Sequence, residues 1–389
     1  MGQIVIRQIH DDEKFTVSRQ LMAYAFQASP PLPPAEGWVQ PFLEEATIVA
    51  LFVDETPLAC AAYSPMPQNI RGKLFSSAGI WGVATHPSAR RQGYSRRLLA
   101  HLLAVMREAG VSFSNLYPFR ESFYDRLGYV TFPQPRMVQI PARSFLPLLQ
   151  KKLPGHVSLA PMAESFSEHR SYLQQHQQSM HGMVLASEYT ASPQRTINRR
   201  WVAMALINGE PHGMMLYAIK GNGENMEVPC FFYRDSYGKY LLLEWFARHA
   251  DQVKDIELRL PPCEHPETWL PDLALTVKED EAPMGRVVDV TAVGGMNSGP
   301  GQFSARLSDP LCPWNEGNYL FATVDGQLEV SQTETAQCHL TIQGLTALLY
   351  GTHDPESFAV RGWGDPSPTL QDGMRTMFLP HLPYLYEKY

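Results

Sequence analysis

Long apolar runs are missing from this chain of 389 residues, although apolar residues make up 44% of it. No stretch approaches the roughly 20 apolar residues that a helix needs to span a bilayer. The N-terminal stretch MGQIVIRQIHDDEKF also lacks the basic start and the apolar segment of a signal peptide. These absences predict a soluble, cytoplasmic protein that does not act at a membrane.

Basic blocks and basic tails are also absent, and the formal net charge is −7. Proteins that bind nucleic acid do so through a cationic face, so this balance disfavours a nucleic-acid partner. The five cysteines are odd in number and form no CxxC pair, which predicts reduced thiols with neither a disulfide framework nor a metal site. The phosphate-binding patterns GxGxxG and GxxxxGK[ST] do not occur either.

The chain begins with an α/β pattern that fills about the first 135 residues. SAGIWGVAT (77–85) is apolar on both faces, which predicts a buried strand. SRRLLAHLLAVMREA (95–109) predicts a helix, because its leucines recur at helical spacing and Gly110 stands where a C-terminal cap belongs. The remaining predicted elements of this region are a strand at 111–117, a short helix at 120–128 and a strand at 129–132.

A basic loop, ARRQGYSRRLLA (89–100), joins the predicted buried strand to the predicted helix. The first turn of a helix leaves backbone N–H groups unpaired, and the helix dipole adds about half a positive charge there. Gly93 would let an anion approach these amides, and the arginines add cationic side chains. Taken alone, the loop fits a pyrophosphate site and a solvated helix start with a turn glycine equally well.

Residues on both sides of the loop favour the pyrophosphate site. WGVATHPSARRQGYSRRLL (81–99) resembles motif A of the GNAT N-acetyltransferases, whose pattern is [QR]-x-x-G-x-[GA]. Arg90, Gly93 and Ser95 stand at its three fixed positions, Ser95 replacing the usual Gly or Ala. The resemblance implies that acetyl-CoA binds to the strand and the loop. The implied contacts are Val83, Ala84, Thr85, Arg90, Arg91, Gln92, Gly93, Tyr94, Ser95 and, on the family's asparagine strand, Asn115.

A second segment, SNLYPFRESFYDRLGYVTF (114–132), is similar to the later strand and the FYxxxGF ending of the same family. In that family the amine attacks the thioester directly, and a tyrosine protonates the departing thiolate. The resemblance implies that this general acid is Tyr124. A phenol suits the task, because its reference pKa of about 10 lies slightly above that of a thiol. Tyr129 is the alternative acid, although its position at the start of a strand is typical of a core residue.

The remaining two thirds of the chain predict two further regions. Residues 150–290 contain a hairpin at 200–221, a helix at 240–253 and a strand at 256–262, but no basic glycine loop. Residues 304–389 predict strands followed by a helix. This order, together with MGRVVDV (284–290), resembles the enhanced intracellular survival (Eis) family of acetyltransferases.

The Eis resemblance implies a fold of the α/β (α+β) class. It would consist of tandem GNAT-like domains, each a mixed twisted sheet flanked by helices, plus a C-terminal sterol-carrier-like α+β domain. The expected bounds are 1–148 for the acetyl-CoA domain, 149–287 for the second GNAT-like domain, and 288–389 for the third.

In the Eis family the C-terminal α-carboxylate enters the acceptor site and acts as the base, and here it belongs to Tyr389. With a reference pKa of about 3.5, this group is a weak base at neutral pH and is better suited to holding an ammonium. Chain ends fray by default, but the aromatic, proline-bearing ending PHLPYLYEKY (380–389) predicts a buried end. Glu387 is a candidate for a second negative charge beside a polycationic acceptor.

The resemblance also implies a primary amine as the acceptor, namely an aminoglycoside, a polyamine or a lysine-like amine. It implies a homo-oligomer such as a hexamer, and no metal. The acceptor pocket is expected among side chains such as Tyr24, Phe26, Trp38 and Phe119, whose placement the sequence does not fix. Two other functions stay open: a catalytically silent CoA-binding or regulatory module, and a lipid carrier based on the third domain.

Overall fold

The computed structural model describes residues 2–26, 39–221 and 223–389. In chain order, its strands are β1 (Ile4–Ile9), β2 (Thr47–Val53), β3 (Thr56–Pro65), β4 (Gln68–Ile70), β5 (Lys73–Phe75), β6 (Ser77–Thr85), β7 (Phe113–Leu116), β8 (Val130–Thr131), β9 (Arg136–Pro141), β10 (His156–Pro161), β11 (Trp201–Ile207), β12 (Glu210–Ile219), β13 (Met226–Tyr233), β14 (Asp255–Leu260), β15 (Thr276–Lys278), β16 (Met284–Val287), β17 (Gln302–Ser308), β18 (Gly317–Val324), β19 (Gln327–Gln332) and β20 (Cys338–Thr341).

The α-helices of the same residues are α1 (Asp11–Ala25), α2 (Val39–Glu45), α3 (Tyr94–Glu108), α4 (Glu121–Asp125), α5 (Met162–Gln177), α6 (Glu188–Ala191), α7 (Gln194–Ile197), α8 (Ser236–Ala247), α9 (Ile342–Tyr350), α10 (Phe358–Arg361) and α11 (Pro368–Met377). Within the described ranges, none of them has both the length and the apolar character needed to cross a membrane. The same residues include no group of three or more His, Cys, Asp or Glu placed to hold a metal ion.

One compact unit contains residues 1–132, 181–190 and 283–389. Its larger sheet has the order β1-β2-β3-β6-β7-β16-β8, in which β6 and β7 are parallel and the other neighbours are antiparallel. The crossover from β6 to β7 is α3, as the helical spacing predicts. The apolar side of α3 is buried against the sheet through Leu98, Leu99, Leu102, Leu103 and Met106.

The smaller sheet of this unit has the order β19-β18-β17-β20. Phe303 and Phe321 from this sheet share a core with Leu345 of α9 and with Phe113 and Phe132 from the region of the larger sheet. Burial of such aromatic side chains is the main favourable term in packing, so the two sheets of the unit stabilise one another.

The other compact unit contains residues 133–180 and 191–282. Its sheet has the order β10-β11-β12-β13-β14-β9-β15, and α8 is the crossover between the parallel strands β13 and β14. The hairpin predicted at 200–221 is present as β11 and β12, paired from Trp201 and Tyr217 to Ile207 and Glu210.

The chain passes from one sheet to the other at positions that differ from the expected domain bounds of 148 and 287. β9 belongs to the sheet of the second unit, although 1–148 was expected to form the first domain. β16 pairs with β7 and β8 of the first unit, although 149–287 was expected to form the second domain. Both strands pair with partners that are remote in sequence, and no local pattern encodes such pairing.

A buried and a half-buried histidine, His169 and His176, lie on one face of α5 in the second unit. His169 is 7% exposed, and its two ring nitrogens have no hydrogen-bond partner among the described residues. Burial, followed by the nearby charge of Arg170, lowers the pKa of His169 from 6.5 to about 4. Burial likewise lowers the pKa of His176, about two helical turns further along α5, to about 4. Both imidazoles are therefore neutral at pH 7.

We expect acid to destabilise this unit through these histidines. Because the folded-state pKa of His169 lies below the unfolded value of 6.5, the unfolded state binds the proton first as the pH falls. The free energy of unfolding therefore keeps its full value above pH 6.5 and decreases as the pH falls toward 4. For His169 the loss amounts to about 2 kcal/mol at about pH 5. Urea unfolding at about pH 7.5 and about pH 5 should show a smaller acid loss for His169→Leu than for the wild type.

The matched control is His156→Leu, which replaces an exposed histidine on β10. It should keep the wild-type acid loss. The same acid loss in wild type and His169→Leu would contradict the assignment.

Candidate active site

The central strands of the first unit separate near their ends. β6 pairs with β7 from Ser77 to Ile80, and β7 then ends at Leu116. A register shift interrupts the pairing of β6 with β3 on its other side, next to Gly82, whose φ is +63°. Residues 81–85 therefore have no strand partner on the β7 side among the described residues. Their backbone groups on that side are available to a ligand.

Three predicted contacts belong to this unpaired end. The side chains of Val83 and Thr85 line a pocket of about 710 Å³. Ala84 is buried on the opposite face, in a cluster with Cys60. Only its backbone can therefore take part in a ligand site at this strand.

The basic loop leads from β6 into α3. Arg91 has a φ of +62° and Gly93 a φ of +77°, so the loop makes two left-handed steps before the helix begins. No side chain caps this helix, and a Cβ on Gly93 would meet no other atom within 4 Å. The first amides of α3 are therefore unpaired within the helix and open on the side of Gly93.

The predicted loop side chains separate into two groups. Arg90 and Ser95 line the pocket, and the Ser95 hydroxyl lies 2.9 Å from that of Thr85. This contact gives a reason for serine at a position where glycine or alanine is usual. The exposed Arg91, Gln92 and Gly93 and the half-buried Tyr94 lie outside the set that lines the pocket.

Tyr124 lies on α4, is 3% exposed and lines the pocket. The ring centroids of Phe123 and Phe119 lie 5.0 Å and 5.8 Å from the ring centroid of Tyr124. Burial raises the pKa of the Tyr124 phenol well above its usual value. Within the described part of the chain, its hydroxyl has no hydrogen-bond partner. The phenol is thus protonated at neutral pH and free to donate its proton.

Tyr129, the alternative acid, is a core residue. It is fully enclosed, and its hydroxyl lies 2.7 Å from that of Ser114. Its ring centroid is 5.9 Å from that of Tyr124. The two phenols are neighbours, but Tyr124 is the one that reaches the pocket.

The side chain of Tyr389 lies against the middle of β6. A Cβ on Gly79 would lie 2.5 Å from Cζ of the Tyr389 ring, so only glycine leaves room for it. The Tyr389 hydroxyl donates to Oδ1 of Asn115, and Nδ2 of Asn115 donates to Ser77 at 2.9 Å. Burial raises the pKa of this phenol well above its usual value.

These contacts change the interpretation of Asn115. The family resemblance implies that it contacts acetyl-CoA, but its side chain is fully buried and both amide atoms have protein partners. Its side chain therefore anchors the phenol of Tyr389 and does not line the pocket. Tyr389 is therefore held at its phenolic end, and the residue lines the pocket.

The last residues of the chain are held along their length. Arg71 donates to the carbonyl of Leu379 at 3.0 Å, and the amide of Tyr384 donates to the carbonyl of His181 at 2.9 Å. Tyr117 donates to the carbonyl of Leu385 at 3.1 Å. Residues 383–385 of the predicted buried end are buried, whereas Lys388 is exposed and Tyr389 half-buried, and residues 378–389 contain no helix or strand.

Sequence reasoning missed the residues that hold this end. Arg71, Tyr117 and His181 come from three distant segments and carry no shared motif. It also missed Met22 and Trp81, which line the pocket. Of the residues named for the acceptor site, Phe26 and Phe119 line the pocket, whereas Tyr24 lies 5.9 Å from the Arg90 guanidinium. Trp38 lies outside the described residues.

Family comparisons identify the class of protein. Residues 6–132 match the acetyltransferase (GNAT) domain, and residues 296–363 match the sterol carrier protein domain. The chain thus carries a GNAT acetyltransferase domain, and the predicted acyltransferase class is confirmed.

Solved structures that resemble the whole chain include a GCN5-related N-acetyltransferase from Anabaena variabilis, at 18% identity and a TM-score of 0.85. A probable N-acyltransferase from Enterococcus faecalis has 21% identity and a TM-score of 0.85. Eis1 from Mycobacterium abscessus has 16% identity and a TM-score of 0.78. Each match covers 100% of both chains. These likenesses confirm the expected fold, and no curated protein sequence matches the chain.

We expect Gly79→Ala to release the end of the chain, because its Cβ would occupy the position of the Tyr389 ring. Carboxypeptidase should then remove Tyr389 faster than it does from the wild type. The control is Gly373→Ala on α11, where a Cβ meets no atom within 4 Å. Equal rates of Tyr389 release from Gly79→Ala and from the wild type would contradict the position assigned to the Tyr389 ring.

Proposed function

We propose that this protein is an N-acetyltransferase that moves the acetyl group of acetyl-CoA to a primary amine. One observation carries the proposal: the loop-side residues Thr85, Arg90 and Ser95 line the same pocket as Tyr124 and Tyr389. A donor bound at the loop and an acid–base pair at the other residues would therefore face one space.

The residues present fit acetyl-CoA. The backbone of 83–85, which has no strand partner on the β7 side among the described residues, suits the amide-bearing pantetheine arm, and the uncapped start of α3 suits a pyrophosphate. Gly93 leaves open the space that a larger side chain would fill. Arg90, Arg91 and Gln92 would add donors at the rim. When bound, acetyl-CoA supplies an activated acetyl thioester for direct attack by the amine.

Tyr124 would act as the general acid and Tyr389 as the group that receives the amine. The raised pKa of Tyr124 keeps the phenol protonated at neutral pH, and the phenol would give its proton to the departing thiolate. The terminal carboxylate of Tyr389 would hold the acceptor's ammonium, or take its proton, while Asn115 fixes the side chain of the same residue. The acceptors that the Eis resemblance implies are aminoglycosides, polyamines and lysine-like amines.

The proposal is tested by measuring free thiol released from acetyl-CoA in the presence of a panel of amines. Amine-dependent thiol release, with acetylated amine found by mass spectrometry, would support it. Binding of acetyl-CoA without turnover of any amine would instead support a silent CoA-binding module. A homo-oligomer in the cytoplasm stays a prediction, and light scattering of the purified protein would check the assembly.

We expect Gly93→Glu to weaken acetyl-CoA binding by more than about tenfold, because a carboxylate would enter the space left for the pyrophosphate. Isothermal titration calorimetry measures the change. Gly110→Glu is a matched control, since Gly110 follows the other end of α3, has a φ of +75° and is equally open. Equal weakening by both variants would remove the loop from the proposed site.

We expect Tyr124→Phe to lower kcat by more than about tenfold while acetyl-CoA still binds, because the variant loses only the donated proton. Tyr129→Phe is the control: it loses the bond to Ser114, so it should cost about 1 kcal/mol of stability and leave kcat unchanged. Full turnover by Tyr124→Phe would exclude its role as the acid.

We expect deletion of Tyr389 to lower kcat/KM by more than about tenfold, because the carboxylate moves back to Lys388. Tyr389→Phe retains the carboxylate and loses only the bond to Asn115, so its loss should be smaller. If the deletion variant were as active as wild type, the terminal carboxylate would have no part in the reaction.

A further inference from the structure

The walls of the pocket near Tyr124 consist mainly of aromatic carbon. Phe119 and Phe123 form a cluster with Tyr124, and the ring centroids of Phe119 and Phe123 lie 5.3 Å apart. Phe119 is 71% exposed, an unusual state for a large apolar ring. Such an exposed aromatic group beside a pocket is typical of a binding surface. We call Phe119, Phe123 and Tyr124 the aromatic wall.

Apolar side chains from other elements also line the pocket. Met22, Ala25 and Phe26 come from α1 and the residue after it, and Trp81 comes from β6. The indole N–H of Trp81 already donates to Ser64 at 3.0 Å, so its ring offers the pocket only an apolar surface. An occupant of this space would therefore gain most from apolar or aromatic contact.

Carboxylates on the flanking elements have protein partners. Glu121 of α4 accepts from Thr131 at 3.0 Å, and Glu45 of α2 accepts from Ser187 and Thr190. Glu387, the candidate second anion, accepts from the amide of Ala186 at 3.3 Å and is not among the residues that line the pocket. The described residues that line the pocket include no aspartate or glutamate.

We infer that the acceptor is a monoamine whose ammonium is attached to an aromatic or long aliphatic body. The inference rests on the proposed function and narrows its acceptor class. One ammonium would meet the Tyr389 carboxylate, and the body would pack on the aromatic wall. A second ammonium would be desolvated against apolar side chains without an anion, which is costly. Polyamines and aminoglycosides are therefore poor acceptors.

The experiment compares amines that differ by one charge. With the full chain and saturating acetyl-CoA, thiol release is measured for n-hexylamine, 1,6-diaminohexane, phenethylamine, spermidine and kanamycin. We expect kcat/KM for hexylamine and phenethylamine to exceed that for the polyamines and kanamycin by at least about tenfold. A diamine or kanamycin that matches or exceeds the monoamines would overturn the inference and leave the proposed function in place. Turnover of no amine would overturn both.

A designed change of preference gives a second measurement. Phe119→Glu places a carboxylate on the aromatic wall at an exposed position, so the fold should tolerate it. It should shift the kcat/KM ratio of diaminohexane to hexylamine upward by about tenfold. Val360→Glu, at a residue that is 93% exposed on α10, adds the same charge elsewhere and should leave the ratio unchanged. An unchanged ratio in Phe119→Glu would overturn the assignment of the wall.

Discussion

The buried ion pair between Arg286 and Asp309 is the constraint on which the rest of the first unit depends. Nη2 of Arg286 lies 2.6 Å from the carboxylate, and both side chains are almost completely buried. Arg286 also donates to the carbonyl of Leu127, next to the short helix that carries Tyr124. Asp309 in turn accepts from Asn315 at 2.9 Å. Removing either partner of such a pair leaves a buried charge, at a cost of about 3–5 kcal/mol. Arg286 thereby fixes the turn after Tyr124 to the C-terminal domain.

A second network of hydrogen bonds holds the chain end that carries Tyr389, the other residue of the proposed acid–base pair. His181 accepts from the amide of Arg71 at 3.1 Å, and its carbonyl accepts from the amide of Tyr384. Arg71 itself donates to the last carbonyls of α9, Leu348 and Leu349, as well as to Leu379. The helix end and the chain terminus therefore share one guanidinium. Two buried arginines thus hold the segments that support Tyr389 and Tyr124, and each arginine is remote in sequence from the segment that it holds.

The sequence predicts the local parts of this arrangement well. The strand at 77–85, the helix at 95–109 and the hairpin at 200–221 are confirmed, since each depends on spacing within one segment. Motif A places Gly93 at the start of α3 because positive φ and an open approach both require glycine there. The anchoring role of Asn115 was not predictable, because it depends on a ring that arrives from the end of the chain. Strand β16 escaped prediction for the same reason: its partners β7 and β8 are more than a hundred residues away.

The second unit shows why a shared strand–helix–strand order does not carry the same chemistry. In the first unit, α3 starts at Gly93 with its first amides uncapped. In the second unit, α8 starts at Asp235, whose carboxylate accepts from the amide of Gly238 at 3.0 Å. The same carboxylate lies 2.6 Å from Nδ1 of His212, and a Cβ on Gly238 would meet the carbonyl of His212. A phosphate at this helix start would face a negative charge and a closed backbone, so the positive end of α8 is already satisfied from within. The proposed donor site accordingly depends on the absence of a side-chain cap at α3. Of the two helices that connect parallel strands in the described parts of the chain, only α3 begins with its first amides uncapped.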